Sequence, residues 1–177
     1  QGRAGSQHPD LPADPIIAHA DVRRMLMTQR ALVEGGRALA VWVARSLDRS
    51  ERAADPASRQ EADDFVSLMT PVVKAFLTDM GSEVANLGMQ VLGGHGYIRD
   101  NGQEQLVRDV RITQIYEGTN GIQALDLAGR KLPLDNGRLL RTFFHPLVTY
   151  ISGRRPELAE FTEPLSDALG RLQQATS

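Results

Sequence analysis

The chain has 177 residues, of which 41% are hydrophobic and 24% charged, and its formal net charge is -2 at pH 7. These values are typical of a globular protein with its own core, and they give no reason to expect a nucleic acid or an anionic membrane as partner. No apolar run reaches the roughly 18 residues of a membrane-spanning helix, and the absence of cysteine excludes disulfides, thiol catalysis and cysteine-ligated metal sites.

The start of the chain contains Gly, Pro, Asp and Ser without periodicity, which predicts a loop or linker over residues 1–15. The first residue is not Met, so we expect a processed chain or a piece of a longer one. The start lacks the features of a secretory signal peptide.

Lys74 and Lys131 are the only lysines among the 20 lysine and arginine residues of the chain. This preference for arginine over lysine favours a GC-rich bacterial gene, and we expect a cytoplasmic bacterial protein.

Apolar residues from position 20 onwards recur mostly at steps of three, four, six or seven, which predicts an amphipathic helix over residues 20–48. The charged residues 49–56 then indicate a break. A second apolar stripe extends over residues 58–92. Because a proline inside a helix removes a backbone hydrogen bond, Thr70-Pro71 predicts a kink or break between a short helix and a longer one.

The second half of the chain also shows helical patterns. Gly93-Gly94 predicts the end of the preceding helix, and residues 93–102 read as a loop. Further helices are predicted over residues 103–110, from just after Glu117 to Lys131, and over residues 138–152 and 156–174. Since no convincing strand pattern occurs, the predicted fold class is all-α, an antiparallel helical bundle.

Two glycine-rich clusters, residues 93–96 and 117–121, are candidates for contact with a ligand. Glycine lets a backbone approach a ligand closely, and N–H groups at helix starts bind phosphates. Each cluster also has a structural alternative: Gly93-Gly94 as a helix cap, and Glu117 as an acidic residue that complements a helix dipole. Neighbouring residues have structural alternatives too: a loop histidine at His95, core aromatics at Tyr97 and Tyr116, and a surface charge cluster of Arg108, Asp109 and Arg111.

Two segments decide between these interpretations. Residues 90–97, Gln-Val-Leu-Gly-Gly-His-Gly-Tyr, and residues 108–123, Arg-Asp-Val-Arg-Ile-Thr-Gln-Ile-Tyr-Glu-Gly-Thr-Asn-Gly-Ile-Gln, closely resemble the C-terminal signature of the acyl-CoA dehydrogenase family in order and spacing. The resemblance implies that residues 16–132 form that family's C-terminal helical domain. Residues 133–177 would then be part of a C-terminal extension with additional helices.

In this family, a glutamate in the Tyr-Glu-Gly-Thr context removes the α-proton of an acyl-CoA thioester, and a hydride passes from the β-carbon to FAD. The resemblance therefore implies that Glu117 is the catalytic base and that FAD is the cofactor. Tyr116 and Gly118 match positions that line the thioester, and His95 receives no catalytic role. The positions that match FAD contacts are Gln90, Val91, Leu92, Gly93 and Gly94 on the adenine side, and Thr119, Asn120 and Gly121 beside the pyrophosphate.

The same resemblance implies an acyl-CoA substrate, an electron-transfer flavoprotein or similar electron acceptor, and a homodimer or homotetramer, with no metal site. Two positions depart from the family pattern. Gly121 stands where many members have Gln, and Gly129 stands where many have an Arg that contacts CoA, with Arg130 one residue later. Residues 14–26 and the extension resemble a larger bacterial subgroup that includes 3-methylmercaptopropionyl-CoA dehydrogenase-like enzymes.

The family also has an N-terminal helical domain and a middle β domain that supplies much of the flavin pocket, and neither is expected within these residues. We therefore expect the isolated chain to be inactive and to bind FAD weakly or not at all. Two other functions remain open from the sequence. One is a non-catalytic helical oligomerisation module, and the other is an acyl-CoA oxidase-type flavoenzyme.

Overall fold

A computed structural model describes residues 10–154 and 158–176, and all regular secondary structure in these residues is helical. The α-helices there are α1 (Ala20–Arg52), α2 (Pro56–Leu92), α3 (Gly94–Tyr97), α4 (Gln103–Arg111), α5 (Asn120–Asp126), α6 (Arg138–Arg154) and α7 (Ala159–Thr176). The predicted all-α fold class is confirmed. None of the helices in this part of the chain is long and apolar enough to cross a membrane.

Most predicted helices lie within a few residues of their observed bounds. The predicted loop over residues 93–102 is wrong in part, because it contains α3 and a 3-10 turn at Arg99–Asn101. The helix predicted to reach Lys131 changes at Leu127–Lys131 into a wider π-helical turn. The first nine residues of the predicted linker and the start of the last predicted helix, at residues 156–157, lie outside the described residues.

Helix α2 begins with a complete N-terminal cap. The Asp55 carboxylate accepts hydrogen bonds from the backbone N–H of Ser58 at 2.9 Å and from the Ser58 hydroxyl at 2.8 Å. Pro56 occupies the first helical position, where its missing N–H costs nothing. Because the bonds from Ser58, and then from the Ala57 N–H, favour the charged carboxylate, they lower the pKa of Asp55 below its usual value.

The break predicted as one alternative at Thr70 is absent, because α2 continues as one helix past Pro71, and the kink, the other alternative, stays a prediction. A proline in a helix interior costs about 3 kcal/mol through a lost hydrogen bond and a steric clash. Pro71 is fully buried, and the Thr70 hydroxyl donates to the Val66 carbonyl at 2.7 Å. We infer that the packing of Pro71 offsets the local penalty, a gain that residue spacing cannot reveal.

The described chain divides into two compact units. Unit 1 comprises residues 10–39 and 75–119, and unit 2 comprises residues 40–154 and 158–176 without residues 75–119. Helices α1 and α2 each contribute residues to both units. In unit 1, α1 approaches α2 closely at Gly36, where an added Cβ would lie 2.7 Å from the Met80 Cε atom.

In unit 1, α4 lies antiparallel along α2. A Cβ added to Gly88 would lie 2.6 Å from the Gln103 amide nitrogen, which donates to the Ala85 carbonyl at 3.0 Å. At the other end of α4, a Cβ added to Gly81 would lie 2.9 Å from Val110 Cγ2. The two glycines therefore allow the backbones of α2 and α4 to approach closely over the full length of α4.

Unit 2 has an aromatic core. The Trp42 ring lies 4.7 Å from the Phe65 ring and 6.3 Å from the Phe143 ring, centroid to centroid, so α1, α2 and α6 share one cluster. Leu139 of α6 is fully buried. Helix α7 packs against α6, and α6 and α7 together cover the part of α2 that contains Leu68, Met69 and Val72.

An ion pair ties the start of α6 to α2 inside unit 2. The Arg138 guanidinium contacts both carboxylate oxygens of Asp64, at 2.8 and 3.1 Å, and the Asp64 side chain is only 8% exposed. Arg138 also pairs with Asp135 at 2.7 Å, while Gln60 donates to Asp64 at 2.9 Å. A buried carboxylate that lost this partner would keep an uncompensated charge.

We predict that Gly81→Ala destabilises the protein, because the new methyl group would overlap the stiff Val110 side chain. Overpacking of this kind costs about 1–3 kcal/mol. The matched control is Gly35→Ala in α1, where nothing lies within 4 Å of the added Cβ, and where alanine should stabilise the helix by about 0.5–1 kcal/mol. Urea unfolding measures both variants, and equal effects would contradict the close approach at Gly81.

We predict an acid-dependent contribution of Asp55 to stability. A carboxylate with a lowered pKa stabilises the fold fully above the ordinary Asp pKa of about 3.9, and this stability is lost as the pH falls through the lowered pKa. Asp55→Asn keeps a capping oxygen but does not titrate. The difference in melting temperature between the wild type and Asp55→Asn should therefore be constant above about pH 5 and change in favour of Asn below about pH 3. A constant difference across that range, followed by circular dichroism, would refute this role.

Candidate functional site

The segment after α4 stays tied to α2 in unit 1. A 3-10 turn at Ile112–Gln114 follows α4 directly. At its end, the Gln114 side-chain amide donates to the Asp79 carboxylate at 2.6 Å, and the Gln114 side-chain oxygen accepts from Arg111 at 2.9 Å. The backbone N–H of Tyr116 closes the turn by donating to the Ile112 carbonyl at 3.1 Å.

Glu117 has a backbone conformation that glutamate rarely adopts. Its φ is +52°, and Gly118 follows with φ of +86°. Glycine reaches this left-handed region freely, whereas a residue with a Cβ pays roughly 1–2 kcal/mol for it. Strain of this kind in a non-glycine residue is a reason to look for function, because nothing in the local sequence requires a glutamate there.

The structure excludes the interpretation of Glu117 as a helix-start acid. Helix α5 begins at Asn120, and its first turn contains no acidic residue. Glu117 therefore precedes the helix by three residues, in an exposed turn. Complementing a helix dipole requires a place in or next to the first turn, so this turn gives Glu117 no such role.

In unit 2, the start of α5 is held by a lysine of α2. The Lys74 ammonium donates to the Asn120 side-chain oxygen at 2.8 Å. This bond fixes the Asn120 side-chain oxygen toward α2 inside unit 2. Thr119, at the end of unit 1, and Gly121, in unit 2, are both exposed.

Gln90–Gly94 form the end of α2 and the turn after it. The cap interpretation of Gly93 is confirmed, since α2 ends at Leu92 and Gly93 has φ +59° and ψ -144°, a conformation for glycine. Open space surrounds the position of a Cβ on Gly93 and on Gly94. Gln90, Leu92, Gly93 and Gly94 are exposed and Val91 is half-buried, so this end can contact a ligand or another chain.

Within unit 1, the predicted site residues Gln90–Gly94 do not lie next to Glu117. Glu117 follows the contact between Gln114 and Asp79, whereas Gln90 lies eleven residues beyond Asp79 on α2. At 1.5 Å per residue, this corresponds to roughly 16 Å along the helix. Gln90–Gly94 and Glu117 thus lie toward different ends of the docked α4.

The structure also decides the alternatives for the neighbouring side chains. Tyr97 is 77% exposed and Tyr116 is 48% exposed, so neither is a core aromatic. Asp109 accepts a hydrogen bond from Gln105 at 2.6 Å, and Arg108, Asp109 and Arg111 are exposed, as a surface charge cluster would be. The sequence analysis did not single out Lys74 and Asp79. Both lie on α2 and form hydrogen bonds with residues later in the chain.

Comparison with known proteins identifies the family of this chain. The family model of the acyl-CoA dehydrogenase C-terminal domain matches residues 7–132. The chain is 51% identical over 131 residues to a 3-methylmercaptopropionyl-CoA dehydrogenase of Ruegeria pomeroyi, which covers 74% of this chain and 22% of the relative. It is 34% identical over 170 residues to a butyryl-CoA dehydrogenase of Syntrophomonas wolfei, which covers 96% of this chain and 28% of the relative.

A third relative, a broad-specificity linear acyl-CoA dehydrogenase of Mycobacterium tuberculosis, is 39% identical over 127 residues, 71% of this chain and 21% of that protein. The chain thus spans roughly a quarter of the length of the relatives it matches. The match of the family model covers most of the chain, including both signature segments. The chain therefore belongs to the acyl-CoA dehydrogenase family, of which it contains the C-terminal domain.

Proposed function

We propose that this chain is part of an FAD-dependent acyl-CoA dehydrogenase in which Glu117 removes the α-proton of the acyl-CoA thioester. The observation that carries the proposal is the conformation of Glu117. An exposed glutamate stands in a left-handed turn, at the position of the Tyr-Glu-Gly-Thr signature. A sequence selected only for stability would place glycine at φ +52°, so we infer that the carboxylate is retained for chemistry.

The chain's own residues account for the proton transfer. The Glu117 carboxylate takes the α-proton, and its backbone N–H donates to the thioester oxygen, on which negative charge develops. Gly118 lets the thioester approach the backbone, and the half-exposed Tyr116, which directly precedes Glu117, lines the thioester. Bound FAD would supply the acceptor for the hydride that leaves the β-carbon.

The proposed FAD contacts fit the donors on this chain. Thr119 has a hydroxyl, Asn120 has a side-chain amide, and Gly121 has backbone without a side chain. These groups suit the negatively charged pyrophosphate. For Gln90–Gly94 we propose contact with the adenine side of the FAD of a neighbouring subunit, in a homodimer or homotetramer.

For the substrate we propose an acyl-CoA thioester, and for the electron acceptor an electron-transfer flavoprotein or a similar protein. The relatives named above act on different acyl groups, by their names, so chain length stays open. Arg130 pairs with Asp126 at 3.0 Å and is largely exposed, which leaves it available to a CoA phosphate at the surface. The division into residues 1–15, 16–132 and 133–177, and the cytoplasmic location, remain predictions.

We predict that Glu117→Gln in the flavin-loaded protein that contains this chain leaves FAD bound but slows flavin reduction by acyl-CoA at least about 1,000-fold, since an amide cannot take the α-proton. Stopped-flow absorbance of the flavin measures the rate. Glu83→Gln, at an exposed glutamate of α2, is the matched control and should leave the rate unchanged. Reduction of Glu117→Gln at close to the wild-type rate would show that Glu117 is not the base.

We predict that Glu117→Gly stabilises the protein by roughly 1 kcal/mol while abolishing flavin reduction, because glycine relieves the left-handed strain. Glu83→Gly, in the helical interior of α2, should instead destabilise the protein by about 0.5–1 kcal/mol. Thermal unfolding compares the two. If both variants lost stability equally, the strain at Glu117 would not exist.

A further inference from the structure

We propose that Asp79 and Gln114 are positioning residues for Glu117: together they hold the turn from which the Glu117 carboxylate reaches the substrate. The proposal rests on the proposed function of Glu117 as the base. Neither residue belongs to the segments assigned to substrate or FAD contact, and they act through the backbone between positions 114 and 117.

The first observation is the bond itself. The Gln114 amide nitrogen donates to the Asp79 Oδ1 atom at 2.6 Å, although the two residues lie 35 positions apart in sequence. A hydrogen bond to a charged carboxylate is about twice as strong as one between neutral groups. It joins α2 to the 103–114 segment immediately before the chain enters the turn that leads to Glu117.

The second observation is the orientation of the Gln114 amide. Its oxygen accepts from the Arg111 guanidinium at 2.9 Å while its nitrogen faces Asp79. Turning the amide over would set N–H groups against a cation and an oxygen against an anion. The charges of Arg111 and Asp79 therefore determine a single orientation, and a chain of three polar side chains runs from α4 to α2.

The third observation is that apolar packing contributes little here. Ile112, Ile115 and Tyr116, which flank Gln114 and lead to Glu117, are 51%, 47% and 48% exposed. Side chains half in water fix a backbone less firmly than buried ones. The polar chain from Arg111 to Asp79 is consequently the tie that we expect to set where the Glu117 turn begins.

We expect loss of the hydrogen bond between Gln114 and Asp79 to slow the removal of the α-proton. A base displaced by about 1 Å from its reacting geometry can lose roughly 100-fold in rate. Since the pair is exposed, its removal should change global stability very little. Loss of positioning should therefore appear in the rate of proton removal, with little change in unfolding temperature or in substrate affinity.

The experiment uses variants of the flavin-loaded protein that contains this chain. Gln114→Glu keeps the size and the bond from Arg111 but sets a second carboxylate against Asp79. We expect flavin reduction by acyl-CoA to slow about 10- to 100-fold, with unchanged flavin content, melting temperature and acyl-CoA dissociation constant. Adding Asp79→Asn supplies an amide donor to the new carboxylate at position 114 and should restore the rate to within a few-fold of the wild type.

The chain contains a matched control. Gln105 donates to Asp109 at 2.6 Å on α4, so Gln105→Glu creates the same pair of carboxylates away from the Glu117 turn. It should leave the rate unchanged. A normal rate in Gln114→Glu, or no recovery in the double variant, would overturn the proposal, as would an equal loss in Gln105→Glu. Glu117→Gln separates the two claims: if it retains the rate, the base assignment fails, and if only Gln114→Glu retains it, the positioning role fails.

Discussion

The close approach of α4 to α2 at Gly81 and Gly88 is the contact on which the position of Glu117 depends. Without side chains at these two glycines, α4 lies against α2 along its whole length, with Val110 and Gln103 filling the space. The segment leaves this contact at Gln114, already hydrogen-bonded to Asp79. A shift of α4 would be transmitted through the short turn to Glu117, since close-packed helices move as stiff bodies.

Unit 2 depends on a different kind of contact. Arg138 at the start of α6 satisfies the buried Asp64 of α2, and Phe143 one turn and a half later reaches the ring of Trp42. Loss of Arg138 would leave the buried Asp64 carboxylate without its partner, whereas the aromatic rings contribute apolar area. The ion pair joins α6 to α2, and the rings join α6 to α1. Residues after position 132 thus share a core with α1 and α2.

The strained backbone of Glu117 requires contacts that hold it in place, and the signature segment contains such a contact. A left-handed glutamate persists only where its surroundings hold it in place. In unit 1, which contains Glu117, the hydrogen bond from Gln114 to Asp79 precedes it by three residues.

The sequence by itself determined the all-α class, the helix bounds to within a few residues and the family, because periodicity, caps and signature segments are local properties of the chain. It left a kink and a break at Pro71 as alternatives, and only the structure shows that α2 is one helix there and that Pro71 is buried in the packed core. It did not reveal Lys74 and Asp79, since nothing local marks a helix residue as the partner of a residue some 35 to 46 positions later. The left-handed turn at Glu117 was equally hidden, because its spacing matched a helix start. Tertiary contacts decided these points, because only they supply the free energy that offsets the cost of a proline inside a helix or of a glutamate in a left-handed conformation.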